Sequence, residues 1–498
     1  MSTLSLASVL AEPARRRPTK VALVEGDRRL TYAQVWDLAL RYGDALVASG
    51  VKPGDRVALL APNVIEFVGA YYGIIAAGAT VVPVPPMLRP TEAAYLVQNS
   101  GARLLLHHPW FAETAIAAAG ECGIDEASLV GMAEGRNPLA TYVSRQPDDV
   151  AVVFYTSGTT GRPKGAMLTH LNLVMNATVA AFDTGNVGND EMILGALPLF
   201  HIFGQSISLN ATFRAGATLV LVPRFEPVEV LRILNDENIT RMSAVPTMLI
   251  QLLQHADEVT PVPQLQECNS GGASLPVAVL EAFEAKFGAT VREGYGLSET
   301  SPTATTNLSH LPPRPGTVGQ PVWGCEAEVA DPAITDHVVL LPVGERGEVV
   351  LCGHNIFAGY LGNPEATEAA LQDGWFRTGD IGMRDEDGFL SIVDRTKDLI
   401  IRGGFNVYPR EVEETLQRYD GVAQVSVIGV PDAERGEEIC AVVVPETGVV
   451  VDPDALITWS KERLAAHKYP RRVEIVHELP LGPSHKVLKR ELRAQFGR

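Results

Sequence analysis

The feature that most constrains this chain is a repeated alternation of short apolar runs with helical patterns. Val57–Leu60, Val81–Val84, Leu104–His107, Val150–Tyr155, Thr218–Val222 and Arg241–Val245 each read as a strand. Between them lie helical patterns at Tyr32–Ala48 (N-capped by Thr31), Glu66–Ala77, Pro227–Asn235 and Thr247–His255. Such a rhythm builds βα units around largely parallel sheet. Val21–Glu25 and Arg29–Thr31 predict a hairpin about Gly26-Asp27, and Glu267–Gly271 a short strand before a helix ending at Phe287.

After Gly319 the texture changes. Gly347–Cys352 and Phe389–Val393 are short strands, the second preceded by the turn Asp385-Glu-Asp-Gly388, which predicts a β-rich subdomain. Beyond Arg395 the pattern is mixed: a helix Pro409–Tyr419, strands Val422–Gly429 and Glu438–Val444, a helix Asp454–Ala466 and a basic tail. The expected organisation is α/β: a large domain over residues 1–394, made of βα-layered sheets plus the β-rich part, and a small mobile α+β domain over 395–498. Phe67–Leu88 carries no charged residue, but its glycines and the prolines at 83, 85 and 86 favour a buried helix and strand over a membrane span.

Composition narrows the partners. Apolar residues make up 46% and charged residues 20%, as in folded globular chains. A net charge of −18 with no strongly basic domain argues against nucleic acid. The five scattered cysteines lack metal-ligand spacing and read as reduced thiols of a cytoplasmic protein. The N-terminus has its apolar part before its arginines, the reverse of a secretory signal.

The stretch Phe154-Tyr-Thr-Ser-Gly-Thr-Thr-Gly-Arg-Pro-Lys-Gly165 follows a strand and is predicted to open into a helix near Leu171. Its small and hydroxyl residues leave backbone N–H groups uncrowded and add donors suited to phosphate oxygens, while Lys164 supplies a positive charge. Pro163 stands where a Walker loop needs glycine. The string TSGTTGRPKG resembles the phosphate loop of the adenylate-forming enzymes: acyl-CoA synthetases, luciferases and peptide-synthetase adenylation domains. Four further motifs in the family's order carry that likeness across nearly the whole chain.

The resemblance implies roles residue by residue. Thr156, Ser157, Gly158, Thr159, Thr160, Gly161 and Lys164 would cradle the phosphates of ATP. In Arg292-Glu-Gly-Tyr-Gly-Leu-Ser-Glu-Thr300, Tyr295 would stack on adenine, Ser298 contact the α-phosphate and Glu299 hold Mg²⁺. Gly272, Ala273 and Gly296 would also face the nucleotide. Asp380 in Trp375-Phe-Arg-Thr-Gly-Asp380 and Arg395 in Val393-Asp-Arg-Thr-Lys-Asp398 would bind the ribose, and Lys397 would be the hinge. Gly404 would give the coenzyme A thiol its path. Lys486 would be the catalytic lysine, a cation where two anions meet. His485 stands where the family usually has glycine. His201, in Pro198-Leu-Phe-His-Ile-Phe-Gly204, would line the site as a gate.

An amino-acid substrate is disfavoured, because His201-Ile202 stands where such relatives carry an aspartate after a phenylalanine. The acyl pocket by analogy comprises Phe203, Gln205, Val245, Gly271 and Leu297, with Gly272, Ala273, Thr300 and Ser301 nearby. These are small or apolar with no Arg or Lys, which counts against a diacid and suits an aliphatic or aromatic monocarboxylate. The implied activity is an ATP-dependent carboxylate–CoA ligase forming an acyl-AMP and then a thioester, on medium- or long-chain fatty acids. The alternatives are an aryl ligase of the coumarate type, or an acyl-AMP ligase loading a carrier protein. A homodimer is left open.

Overall fold

The computed structural model describes residues 2–156, 162–395, 398–432, 434–482 and 487–497. Two mixed sheets form the bulk of the first 321 residues. The six-stranded sheet runs Asp125–Ser128, Leu104–His107, Arg56–Leu60, Thr80–Pro83, Val150–Thr156 and Lys164–Thr169, parallel except for its last strand. The nine-stranded sheet has a parallel centre of Thr218–Leu221, Met192–Gly195, Arg241–Ala244, Glu267–Ser270 and Thr290–Gly296. The N-terminal hairpin, Val21–Glu25 with Arg28–Thr31, joins this second sheet by parallel pairing of Leu23 with Leu219.

One helix welds the sheets together. In Ile65–Ala76 every residue but Glu66 is buried, so its apolar surface has no solvent face. The core cluster containing it takes Val57, Val81 and Val152 from one sheet and Leu23 and Leu219 from the other. The uncharged stretch is thus a buried helix turning at Gly78 (φ +77°) into the strand Thr80–Pro83, as expected. No described helix is long and apolar enough to cross a membrane. An unanticipated helix, Ser8–Arg16, buries Val9 and Leu10 in the same core despite an internal Pro13.

The β-rich part is an antiparallel sheet of Cys325–Ala330, Arg346–Gly353, Leu371–Gln372, Trp375–Arg384 and Leu390–Arg395. The smaller C-terminal domain has its own sheet, in which Val422–Asp432 and Gly436–Pro445 pair as a long hairpin. Its core is separate: Ile400, Val412, Val427, Ile439 and Leu456 pack together, roofed by Pro409–Leu416 and Pro453–Lys461. All five cysteines are unpaired.

Candidate active site

The glycine- and threonine-rich loop closes a hairpin. Val150–Thr156 and Lys164–Thr169 are antiparallel, with Thr156 opposite Lys164. The helix expected near Leu171 is His170–Val179, and the residues before it, 164–169, form a strand that the sequence reading left unassigned. There the Thr169 hydroxyl accepts from the Asn172 N–H at 3.1 Å and caps the helix. Ser157, Gly158, Thr159, Thr160 and Gly161 lie outside the described residues, as do Lys397, His485, Lys486 and the side chain of Arg395.

Lys164 emerges from the hairpin with its ammonium 5.0 Å from the centre of the Tyr360 ring. The Tyr360 hydroxyl donates to Glu299 Oε1 at 2.8 Å. Burial, then the Glu299 charge, pushes the Tyr360 phenol well above its ordinary pKa, so it remains a donor. Glu299 itself is buried in the turn Ser298–Thr300, and its carbonyl accepts from Phe357 N–H at 2.9 Å. The Lys164 ammonium, the Tyr360 phenol and the Glu299 carboxylate are thus held as one unit. Tyr360 escaped the motif reading because it stands between motifs, in Ala358-Gly-Tyr-Leu-Gly362.

Tyr295, near the end of Thr290–Gly296, donates its hydroxyl to Asp380 Oδ2 at 2.6 Å. A Cβ at Gly296 would lie 1.7 Å from the Pro302 carbonyl oxygen, so only glycine lets the chain turn beside the ring. Asp380 is buried; its N–H donates to Thr378 Oγ1 at 3.0 Å, and the neighbouring Gly379 N–H donates to Glu348 at 2.9 Å. Strand register sets Asp380 opposite Arg395. Tyr295 and Asp380, read from sequence as adenine and ribose partners, are thus brought together from two different sheets.

Beside them opens a cavity of about 1070 Å³, counting the solvent at its mouth. Its lining includes His201, Phe203, Gly271, Gly272, Tyr295, Gly296, Leu297 and Ser298. His201 Nδ1 accepts from the Phe203 N–H at 3.2 Å, which orients the ring. A Cβ at Gly271 would sit 3.2 Å from the Phe203 ring, so glycine keeps the mouth wide. Gln205, Val245 and Ala273, expected nearby, do not line the cavity. Gln205 is fully buried and donates to the Leu199 carbonyl at 3.1 Å, and Val245 joins the apolar cluster of Met248 and Leu249.

The far end of the cavity departs most from expectation. Adjacent parallel strands set Arg241 beside Glu267 and Ser243 beside Asn269, and alternation turns these side chains to one face. Ala244 and Cys268 go to the apolar cluster on the other. Arg241, Ser243 and Asn269 line the cavity, so the reading that no Arg or Lys reaches it is corrected. Arg241 is held by Glu191 through Nε and by Glu267 Oε1 at 2.8 Å, while Glu267 Oε2 also takes Arg292 at 3.1 Å. Two carboxylates between two guanidinium groups make a compensated buried cluster.

Among the described residues, no group of three or more His, Cys, Asp or Glu could hold a metal ion. A single buried carboxylate at Glu299 fits Mg²⁺, which takes few protein oxygens beside nucleotide phosphates.

Residues 10–361 match the model of the AMP-binding enzyme family, and residues 411–486 match that of the AMP-binding enzyme C-terminal domain. The chain belongs to the AMP-binding enzyme family. It is an AMP-forming acid–thiol ligase that joins a small-molecule acid to coenzyme A, using ATP and Mg²⁺. It is 38% identical to a feruloyl-CoA synthase of Amycolatopsis sp, over 100% of both chains. It is 33% identical to a long-chain-fatty-acid–CoA ligase of Bacillus subtilis (strain 168), over 98% of this chain and 94% of that one. Its fold superposes on ATP-bound MatB from Rhodopseudomonas palustris with a TM-score of 0.91 at 32% identity, covering 99% of each chain.

Proposed function

We propose that the acid is an aryl carboxylate with a polar ring substituent, of the hydroxylated phenylpropenoate class. The observation that carries this is the cavity's polarity profile. Ile193, Ile207 and Leu297 make apolar walls that suit a flat hydrocarbon body, and Ser243, Asn269 and Arg241 offer hydrogen bonds at the far end. A saturated chain would leave those groups without a ligand partner, a cost that a ring hydroxyl removes. The likeness to a feruloyl-CoA synthase supports the same reading. The sequence-based choice, a medium- or long-chain fatty acid, stands second; it is favoured by the apolar shaft and the Bacillus relative.

In the first step a carboxylate oxygen attacks the α-phosphorus of ATP. The bond to the bridging oxygen breaks, and pyrophosphate leaves. Lys486 sits between carboxylate and α-phosphate and offsets their repulsion. Ser157–Gly161 and Lys164 grip the phosphates, Tyr295 stacks on adenine, and Asp380 and Arg395 fix the ribose. Mg²⁺ held by Glu299 supplies further charge neutralisation when bound. The 395–498 domain then turns about Lys397, withdrawing Lys486 and bringing up Gly404. Gly403 and Gly404 both occupy the left-handed region (φ +58° and +83°), with no atom within 4 Å of either Cβ position, so the turn presents bare backbone. The thiol sulfur attacks the acyl carbon and AMP departs, so one site serves two steps.

The test is coenzyme A-dependent AMP formation across hydroxylated cinnamates, benzoates and straight-chain acids. A kcat/KM about tenfold or more higher for hydroxylated cinnamates than for any straight-chain acid is expected. A peak with an aliphatic acid would replace this reading with the second. Acyl-AMP without thioester would point to carrier loading.

A further inference from the structure

A second cleft adjoins the acyl cavity. It is lined by Phe182, Asp183, Asn186, Glu267, Ser309 and His310, and it shares two residues with the acyl cavity: Gly185 and Arg241. Arg241 and Gly185 therefore stand between the two cavities. Arg241 Nη1 donates to the Gly185 carbonyl at 2.8 Å and to Glu267 at 2.8 Å, and its Nε faces Glu191. Those bonds tie the helix-end segment at Gly185 to the strand pair beneath it. The segment is itself closed by Gly185 N–H donating to the Ala180 carbonyl at 3.1 Å.

We propose that Arg241 is the end wall of the acyl cavity and sets the upper length limit for the acid, with the outer cleft as a continuation that it seals. The inference rests on the cavity being the acyl site but not on which acid fills it. A wall made of one side chain is removable, whereas one made of sheet backbone is not. Two carboxylates and a carbonyl against one guanidinium hold that side chain across the boundary. Truncating Arg241 alone would leave the half-buried Glu191 carboxylate with the Gly188 N–H at 2.9 Å and no cation, so the informative variant neutralises that residue as well. Glu267 keeps Arg292.

The experiment measures kcat/KM on two series in parallel: para-alkoxycinnamates from methoxy to hexyloxy, and saturated straight-chain acids. The wild type is expected to show a sharp length cut-off in whichever series it turns over. Arg241→Ala with Glu191→Gln should extend that cut-off, raising activity on the first excluded acid by about tenfold or more. Arg241→Met with Glu191→Gln refills the space and should restore the wild-type limit. Ser309→Trp, added to the alanine variant, blocks the outer cleft and should do the same. A cut-off identical in the wild type and the alanine variant overturns the proposal. Where the alanine variant does not fold, the wild type decides. An acid of cut-off length with a distal diazirine should label peptides bearing Gly185 or Arg241, and labelling confined elsewhere overturns it. The ranking of the two series in the wild type separately decides the aryl reading.

Discussion

The Tyr295 hydroxyl and the Asp380 carboxylate meet at 2.6 Å, although one belongs to the nine-stranded sheet and the other to the antiparallel sheet that follows it. The bond fixes the ring that would carry adenine against the carboxylate that would carry ribose, so base and sugar subsites are registered to each other before nucleotide arrives.

Tyr295→Phe keeps the stacking surface and removes that registration. A hydrogen bond to a charged group contributes roughly 1.5–3 kcal/mol, so KM for ATP should rise by about tenfold or more, with a smaller change in KM for the acid. Initial-rate kinetics with each substrate varied in turn checks this. Equal changes in both would assign Tyr295 a general structural role.

Tyr360→Phe leaves Glu299 in place without its phenolic donor. The carboxylate then loses a positioning contact, and half-saturation by Mg²⁺ should move to several-fold higher concentration while KM for coenzyme A holds. Titrating Mg²⁺ at saturating ATP reads it directly.

Lys486→Ala should cripple acyl-AMP formation, by about a hundredfold or more, yet spare thioester formation from synthetic acyl-AMP and coenzyme A. Single-turnover assays separate the half-reactions. Equal losses in both would remove the lysine from its proposed place between the two anions.

Glu293 provides a pH prediction. It is buried; the Leu275 N–H donates to Oε2, and burial pushes its carboxyl up to about 7 against the pull of Arg410 and two backbone N–H groups, with Glu414 adding to the rise. The ordinary value is 4.5, so between pH 4.5 and 7 the folded chain holds a proton that the unfolded chain releases. Stability from this group is therefore complete below that window and lost as pH rises through it, on the order of 3 kcal/mol in all. Glu293→Gln should flatten the decline. Denaturant unfolding at about pH 5 and about pH 8 measures it, and an unchanged decline would place the titrating group elsewhere.

Much of this architecture was legible because short apolar runs and caps act locally. Strands such as Arg241–Ala244 and Glu267–Ser270 fall within a residue of where patterning puts them. What stayed hidden depends on register and depth. Arg241 reads as the first residue of a strand, and only its parallel pairing with Glu267 reveals that it points into a cavity rather than to solvent. The strand Lys164–Thr169 was hidden by the glycine and proline beside it, since its pairing with Val150–Thr156 is tertiary information. The helix Ser8–Arg16 was obscured by Pro13, whose cost is offset by burying Val9 and Leu10. Tyr360 reaches Glu299 by a contact across the fold that no local spacing encodes.

The pairing of Leu23 with Leu219 ties the order of synthesis to the order of assembly. The hairpin leaves the ribosome well before its neighbour in the sheet, which is translated only after the entire six-stranded sheet. At about 5–20 residues per second, that is a wait of roughly ten to forty seconds. Throughout that interval Val21–Glu25 presents an apolar, unpaired edge to the cell. The edge of the second sheet therefore stays open to off-pathway pairing while the whole first sheet is made.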